Sequence, residues 1–412
     1  MLSLSGRQCQ PWRHRVPFAI FALAAINIAI GTQSFVFAGL LSELAGDLDV
    51  SIGTAGLLVP ASSLTFAVTA PFAASLVSKI ERKRVLVAGL ILLALCNALC
   101  AVAPSFAWLF ALRVLGGIVT GFVGSLATIA VPSLVPPERR GRAFAVVVGG
   151  LTVALVLGVP LGSVVGGYFG WRATFEYSAL VCLLSVPLIV FGVPRTDPLP
   201  GPRAAFAPLF RSHAILRVFG LTVLGFASAF TIVSYLGPII NQLTGVTGAR
   251  VGALQVFIGV GSFLGLAAGG MAADRKMMRL GLMTVFVLLA LDIAAYSRAL
   301  SLPPQSVAQP FVAGLILVLA SAMFAAVPMN LAQLSQLAGP ATPVALALNG
   351  SLVALGQGLG AIWGGAIADY AGLIWLGGGG AAFALGGLAL AARPDDERRG
   401  AADHPARLGA KS

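Results

Sequence analysis

Residues 157–167 read LGVPLGSVVGG, and residues 355–365 read LGQGLGAIWGG. Gly158, Gly162, Gly166 and Gly167 recur as Gly356, Gly360, Gly364 and Gly365 at a constant spacing of 198 positions (356 − 158). Outward from this pair, Val131 and Pro132 recur as Val327 and Pro328, and the basic loop at Lys79 recurs at Arg275, both 196 positions apart (327 − 131). Three patterns held at nearly one spacing mark a tandem duplication. Glycine at every fourth position lays a smooth ridge along one helix face, where another backbone can approach closely. Such a ridge serves packing, and in a duplicated bundle it can also carry the surface on which two halves rock.

The solvent of this duplicated unit is lipid. Of 412 residues, 58% are apolar and 10% are charged, against roughly 25% charged in soluble domains. A helix needs about 20 apolar residues to cross a bilayer, and twelve such runs occur: 17–40, 53–77, 85–103, 107–131, 143–167, 173–193, 214–240, 251–271, 280–299, 310–332, 344–368 and 372–392. They are unbroken and rich in Leu, Ala, Val and Gly, without the alternation of a barrel strand. The expected fold is an all-α polytopic membrane protein of twelve transmembrane helices in two homologous six-helix bundles. The first run follows Arg13 and Arg15 but is too long for a secretion signal, and is read as a retained helix.

The proline-rich stretch from Pro194 to His213 divides six runs from six. The expected organisation is a tail at 1–16, a bundle at 17–193, a linker at 194–213, a second bundle at 214–392 and a disordered tail at 393–412. The loops on the terminal side hold 22 of the 26 Lys and Arg residues; the opposite side holds Arg172, Arg250 and Arg298, and Arg113 lies inside a run. We call these the basic face and the far face. The asymmetry places both termini in the cytoplasm, and it accounts for the net charge of +12 through anionic lipid headgroups instead of nucleic acid. The four cysteines are scattered, with no disulfide framework or zinc spacing.

Within this frame, "FVFAGLLSELAGDLDVSIGTAGLLV" from Phe35, "LVPPERRGRA" from Leu134, "TVALVLGVPLG" from Thr152 and "GWRATF" from Gly170 resemble the major facilitator superfamily. The branch they resemble is that of bacterial twelve-span drug and sugar efflux, including arabinose-efflux-type permeases and drug:proton antiporters. The resemblance covers the chain from Pro17 to Ala392. "GGMAADRKMMR" resembles the family's loop motif, with Asp274 and Arg275 in its acidic and basic positions, while the first copy has Ser78 in place of the acid. Arg113 falls at the family's helix-four arginine. Gly158, Pro160 and Gly162 fall in its helix-five antiporter motif, which implies efflux. The acid common after the helix-one Gly-Thr is replaced by Gln33-Ser34, and a commonly aromatic helix-two position is Ser62. The resemblance implies the bacterial inner membrane, a monomer, a small-molecule substrate and the proton as coupling ion, with no cofactor and no metal.

Two ionisable residues lie at depth. Arg113 sits about 9 Å inside its run, where a charge needs a cavity or a partner; it either meets substrate or coupling ion, or anchors backbone carbonyls of neighbouring helices. Asp292 is the one acid deep in a run, a candidate proton carrier that Tyr296 could also hold by a hydrogen bond. The expected cavity residues are Asn27, Gln33, Ser34, Thr120, Thr231, Ser234, Tyr235, Asn330, Asn349 and Gln357, with Gly158, Pro160, Gly162, Gly356 and Gly360 at the gates. Glu43, Asp47, Asp49, Glu176 and Asp369 read as solvated faces. The expected function is export of a drug-like, sugar or metabolite solute by alternating access with proton antiport. A proton-independent facilitator stays open. A membrane enzyme is disfavoured: the histidines are His14, His213 and His404, all outside the runs, with no nucleophile elbow and no metal motif.

Overall fold

The computed structural model describes residues 15–77, 80–136, 139–195 and 207–393. Ser78, most of the linker and both tails lie outside the described residues. Among the described residues, twelve helices are long and apolar enough to cross a membrane: α1 (Phe18–Asp47), α2 (Ile52–Ala73), α3 (Arg82–Ala101), α4 (Phe106–Val131), α5 (Arg142–Phe169), α6 (Trp171–Gly192), α7 (His213–Val233), α8 (Ala249–Asp274), α9 (Met278–Leu300), α10 (Gln309–Leu337), α11 (Gly339–Tyr370) and α12 (Leu373–Ala392). Apolar residues on all sides suit a lipid solvent, in which each backbone group must bond within its own segment.

The duplication persists in the packing. In the first half α2 packs on α4, α1 on α5 and α3 on α6; in the second, α8 packs on α10, α7 on α11 and α9 on α12. Between the halves the main seams are α2 against α11 and α5 against α8. These seams exchange under the operation that superposes the halves, as a pseudo-two-fold axis requires.

The first helix of each half breaks at the same place. The regular helix Arg15–Phe35 gives way to a turn, a tight 3-10 segment at Ala38–Leu40 and a final piece at Leu41–Asp47. In the second half the helix His213–Val233 stops and Leu236–Thr244 resumes after Ser234 and Tyr235. Phe35 and Val233 lie 198 positions apart (233 − 35), on the register of the glycine ridges. A broken helix at membrane depth frees carbonyls that need new donors.

Candidate functional site

Arg113 of α4 supplies those donors in the first half. It is 2% exposed. Its Nη1 donates to the carbonyl of Gln33 at 2.8 Å and to Gln33 Oε1 at 3.1 Å, and its Nη2 donates to the carbonyl of Ser34 at 3.2 Å and to Ser62 Oγ at 2.8 Å. The guanidinium lies 5.0 Å from the centroid of the Phe37 ring, on the π face that attracts cations. Gln33 Nε2 donates in turn to Thr120 Oγ1 at 3.0 Å. Gln33 and Ser34 are in the last turn before α1 breaks, so Arg113 caps the break and ties α1, α2 and α4 together. Arg84 pairs with Glu81 and Arg172 with Asp47, while the bonds of Arg113 go to neutral groups. Arg113 therefore spreads its charge over carbonyls, a hydroxyl and a ring, and its Nε has no partner. Its two bonds to backbone carbonyls are the contacts that the anchor reading calls for.

The second half has a neutral counterpart. Asn330 Nδ2 of α10 donates to Thr222 Oγ1 of α7 at 3.0 Å, and Thr222 Oγ1 donates to Asn349 Oδ1 of α11 at 2.8 Å. All three are buried, and Asn330 Oδ1 has no partner. At the α7 break the fully buried Tyr235 donates to the carbonyl of Ala361 at 2.8 Å, while the adjacent Ser234 Oγ is buried without a partner. Asn27 Nδ2 on α1 is also unpartnered, and Gln357 on α11 is partly buried. Buried polar atoms without partners are uncommon in native interiors, and besides Asn27, Ser234 and Asn330 they include Thr32 Oγ1, Ser63 Oγ, Asn97 Oδ1, Ser178 Oγ and Ser351 Oγ.

Asp292 lies apart from these clusters. It is 5% exposed on α9, which packs on α12, α10 and α7 and takes no part in the main seams between halves. The hydrogen bond expected from Tyr296 is not made: Asp292 Oδ2 and the Tyr296 hydroxyl are both buried without partners. Asp274 ends α8 and Arg275 follows it, both exposed at the basic face.

The gate glycines serve packing within each half. A Cβ on Gly158 would lie 2.1 Å from Thr32 Oγ1, and one on Gly162 2.0 Å from Val36 Cγ2, so this ridge seats α5 on α1. Gly356 and Gly360 meet the carbonyls of Val223 and Ala227, at 2.6 and 2.2 Å from an added Cβ, and seat α11 on α7. The seams between halves use other positions. On α5 and α8, Gly252 faces the Pro160 carbonyl, Gly167 faces the backbone of Gly248 and Ala249, and Ser163 Oγ donates to Gln255 Oε1 at 2.5 Å. On α2 and α11, Gly53 faces the Gly365 carbonyl, and Gly358 faces Ser63 and Leu64. A widened turn at Ala154–Gly158 precedes Pro160, as π-bulges often do at working positions.

Asp369 and Asp47 are exposed, as expected, and each is also bonded. Asp369 Oδ2 accepts from Ser51 Oγ at 2.7 Å and Oδ1 accepts from the Gly53 backbone N–H at 2.9 Å, across the two halves. Asp47 accepts from Trp171 Nε1 at 3.1 Å and pairs with Arg172. Sequence reasoning had no partner to assign them, because the pairings join residues more than 120 positions apart. Ser163, Gln255 and Thr222 were missed as well; a lone polar residue in an apolar run was the only signal.

The sequence profile of the Major Facilitator Superfamily matches residues 23–342. The chain belongs to the major facilitator superfamily. Within it, the inner membrane transport protein YdhP of Escherichia coli (strain K12) is 31% identical over 355 residues, covering 86% of this chain and 89% of that protein. A chloramphenicol resistance protein of Streptomyces lividans is 33% identical over 271 residues, covering 63% and 68%. Among solved structures, a bacterial homolog of the human lysosomal transporter Spinster, in an inward-facing and unoccupied conformation, superposes with a TM-score of 0.74 at 18% identity, covering 93% of this chain and 97% of that one. The fold described above is thus the major facilitator fold, that of a multi-pass transporter.

Proposed function

We propose that the protein exports a small, uncharged drug-like, sugar or metabolite solute from the cytoplasm by alternating access, in antiport with protons. The two bundles at 17–193 and 214–392 are the moving bodies, 194–213 connects them, the basic face is cytoplasmic, and the membrane is the bacterial inner membrane, where the protein works as a monomer. The observation that carries this reading is the position of the seams. They run from the far ends of the helices, at Ser51 with Asp369 and Gly167 with Gly248, to mid-helix, at Ser63 with Gly358 and Val156 with Gly259. Closure at the far end is the arrangement that admits solute from the basic side.

Export as the direction is supported by the Gly158, Pro160 and Gly162 motif and by the resistance function in the name of the Streptomyces relative. A solute without positive charge is supported by sequence: the eight helices α1, α2, α4, α5, α7, α8, α10 and α11 carry acids only near their ends, which leaves no carboxylate at depth on them to meet a cationic group. The same observation favours a second reading, a proton-independent facilitator, since Asp292 on α9 is the one carboxyl left to carry a proton. Accumulation of chloramphenicol, a pentose and a nucleoside in efflux-deficient cells, with and without an uncoupler, tests both. Reduced accumulation that the uncoupler reverses supports antiport; reduction insensitive to it supports the facilitator; no effect on any neutral solute overturns export.

A further inference from the structure

The two halves match through the glycine ridges and then diverge at one point. Gly167 and Gly365 are 198 positions apart, but the next landmark glycines, Gly170 and Gly372, are 202 apart (372 − 170). These two play the same part: each starts the following helix with φ 88, and with ψ 159 and 163. Four added residues are one helical turn, about 6 Å. Helix α11 is therefore one turn longer than α5 at the far face, and that turn carries Asp369.

The pseudo-two-fold axis makes the α2–α11 seam the equivalent of the α8–α5 seam. At the end of α5 backbone meets backbone, Gly167 against Gly248 and Ala249, and neither 163–170 nor 245–254 contains a carboxylate. At the end of α11 the extra turn brings a carboxylate whose two oxygens accept from Ser51 Oγ and the Gly53 N–H on α2. Ser51 Oγ also accepts from the Thr54 N–H, so the latch grips the first turn of α2 instead of a loose loop. Beneath it, Tyr235 is wedged against Gly56, Gly364 and Gly365. The halves cannot part at the far face without breaking these contacts, two of which are charge-assisted bonds.

We propose that Asp369 is a positioning residue of the transport cycle, an outer latch on one seam only, which sets how often the far face opens. The inference rests on the alternating-access reading for its role in transport, and on geometry alone for the latch.

The test uses the full-length protein with its four cysteines replaced by serine and a reporter, Ser63→Cys, placed deep in the α2–α11 seam. Labelling by a membrane-impermeant maleimide from the far side reads opening directly. With Asp369 present the reporter is expected to react slowly, and Asp369→Ala to raise the rate about tenfold, the loss of two bonds to an exposed carboxylate. Asp369→Asn keeps an acceptor for the Gly53 N–H and loses the one for Ser51, so its rate is expected between the two, as is that of Ser51→Ala. In a separate variant, a disulfide between Ser51→Cys and Asp369→Cys is expected to stop transport until reduced. Wild-type labelling rates in Asp369→Ala, or in Asp369→Asn and Ser51→Ala should the alanine variant not accumulate, overturn the latch. Faster labelling with no solute transported by any variant leaves the latch standing and overturns the transport reading.

Discussion

Replacing Arg113 by alanine removes four donated bonds from the end of the first segment of α1. Two of the acceptors are backbone carbonyls at a helix break, and a buried acceptor left unsatisfied costs about 1–3 kcal/mol. Set against this is relief from burying a guanidinium with no carboxylate beside it, a desolvation of several kcal/mol. Hydrogen bonds in membrane bundles also average only about 0.6 kcal/mol. The two terms largely offset, so the net change in stability stays within about 3 kcal/mol, small enough for the variant to insert and fold. Transport is expected to be lost, because the α1 break is no longer tied to α2 and α4. The assay pairs solute uptake into everted vesicles with thermal unfolding followed by a thiol-reactive dye, which reads exposure of the buried Cys96, Cys100 and Cys182. Arg113→Lys keeps the charge but gathers its donors on one nitrogen, and is expected to retain partial activity. Wild-type transport by Arg113→Ala would refute the reasoning.

Gly360→Ala places a Cβ 2.2 Å from the Ala227 carbonyl and should destabilise by about 1–3 kcal/mol through overpacking of α11 on α7. Gly350→Ala on the same helix meets nothing within 4 Å and should change stability by less than about 0.5 kcal/mol, with thermal unfolding of the pair as the check. Asp292→Asn should abolish the pH dependence of export while leaving downhill flux, and an unchanged pH profile in proteoliposomes moves the protein to the facilitator reading. Ser163→Ala removes the Ser163 to Gln255 bond of the α5–α8 seam. It should raise far-face labelling additively with Asp369→Ala, since the two seams share no partner; labelling no faster than in the single variants would count against two independent seams.

Twelve spans, the six-plus-six repeat and the charge asymmetry of the two faces are properties of the sequence alone. They depend on local apolar length, on glycine spacing and on loop composition, which bilayer thickness and the cost of moving charge through lipid translate directly into topology. The depth of Arg113 and Asp292 was legible for the same reason. What Arg113 touches was not, because its acceptors are carbonyls, and every residue has one; only the break in α1 decides that those of Gln33 and Ser34 are free. The glycine ridges were visible as smooth faces, yet only the packing shows that Gly158 and Gly356 seat helices within a half while Gly53 and Gly252 face the other half. A helix turn of 3.6 residues points successive glycines in different directions, and the neighbour each one meets is fixed by tertiary docking. Asp369 illustrates the limit: by its sequence it is a polar helix end, and it becomes a clasp between the halves because the fold brings α2, more than 300 positions away, within 3 Å of its carboxylate.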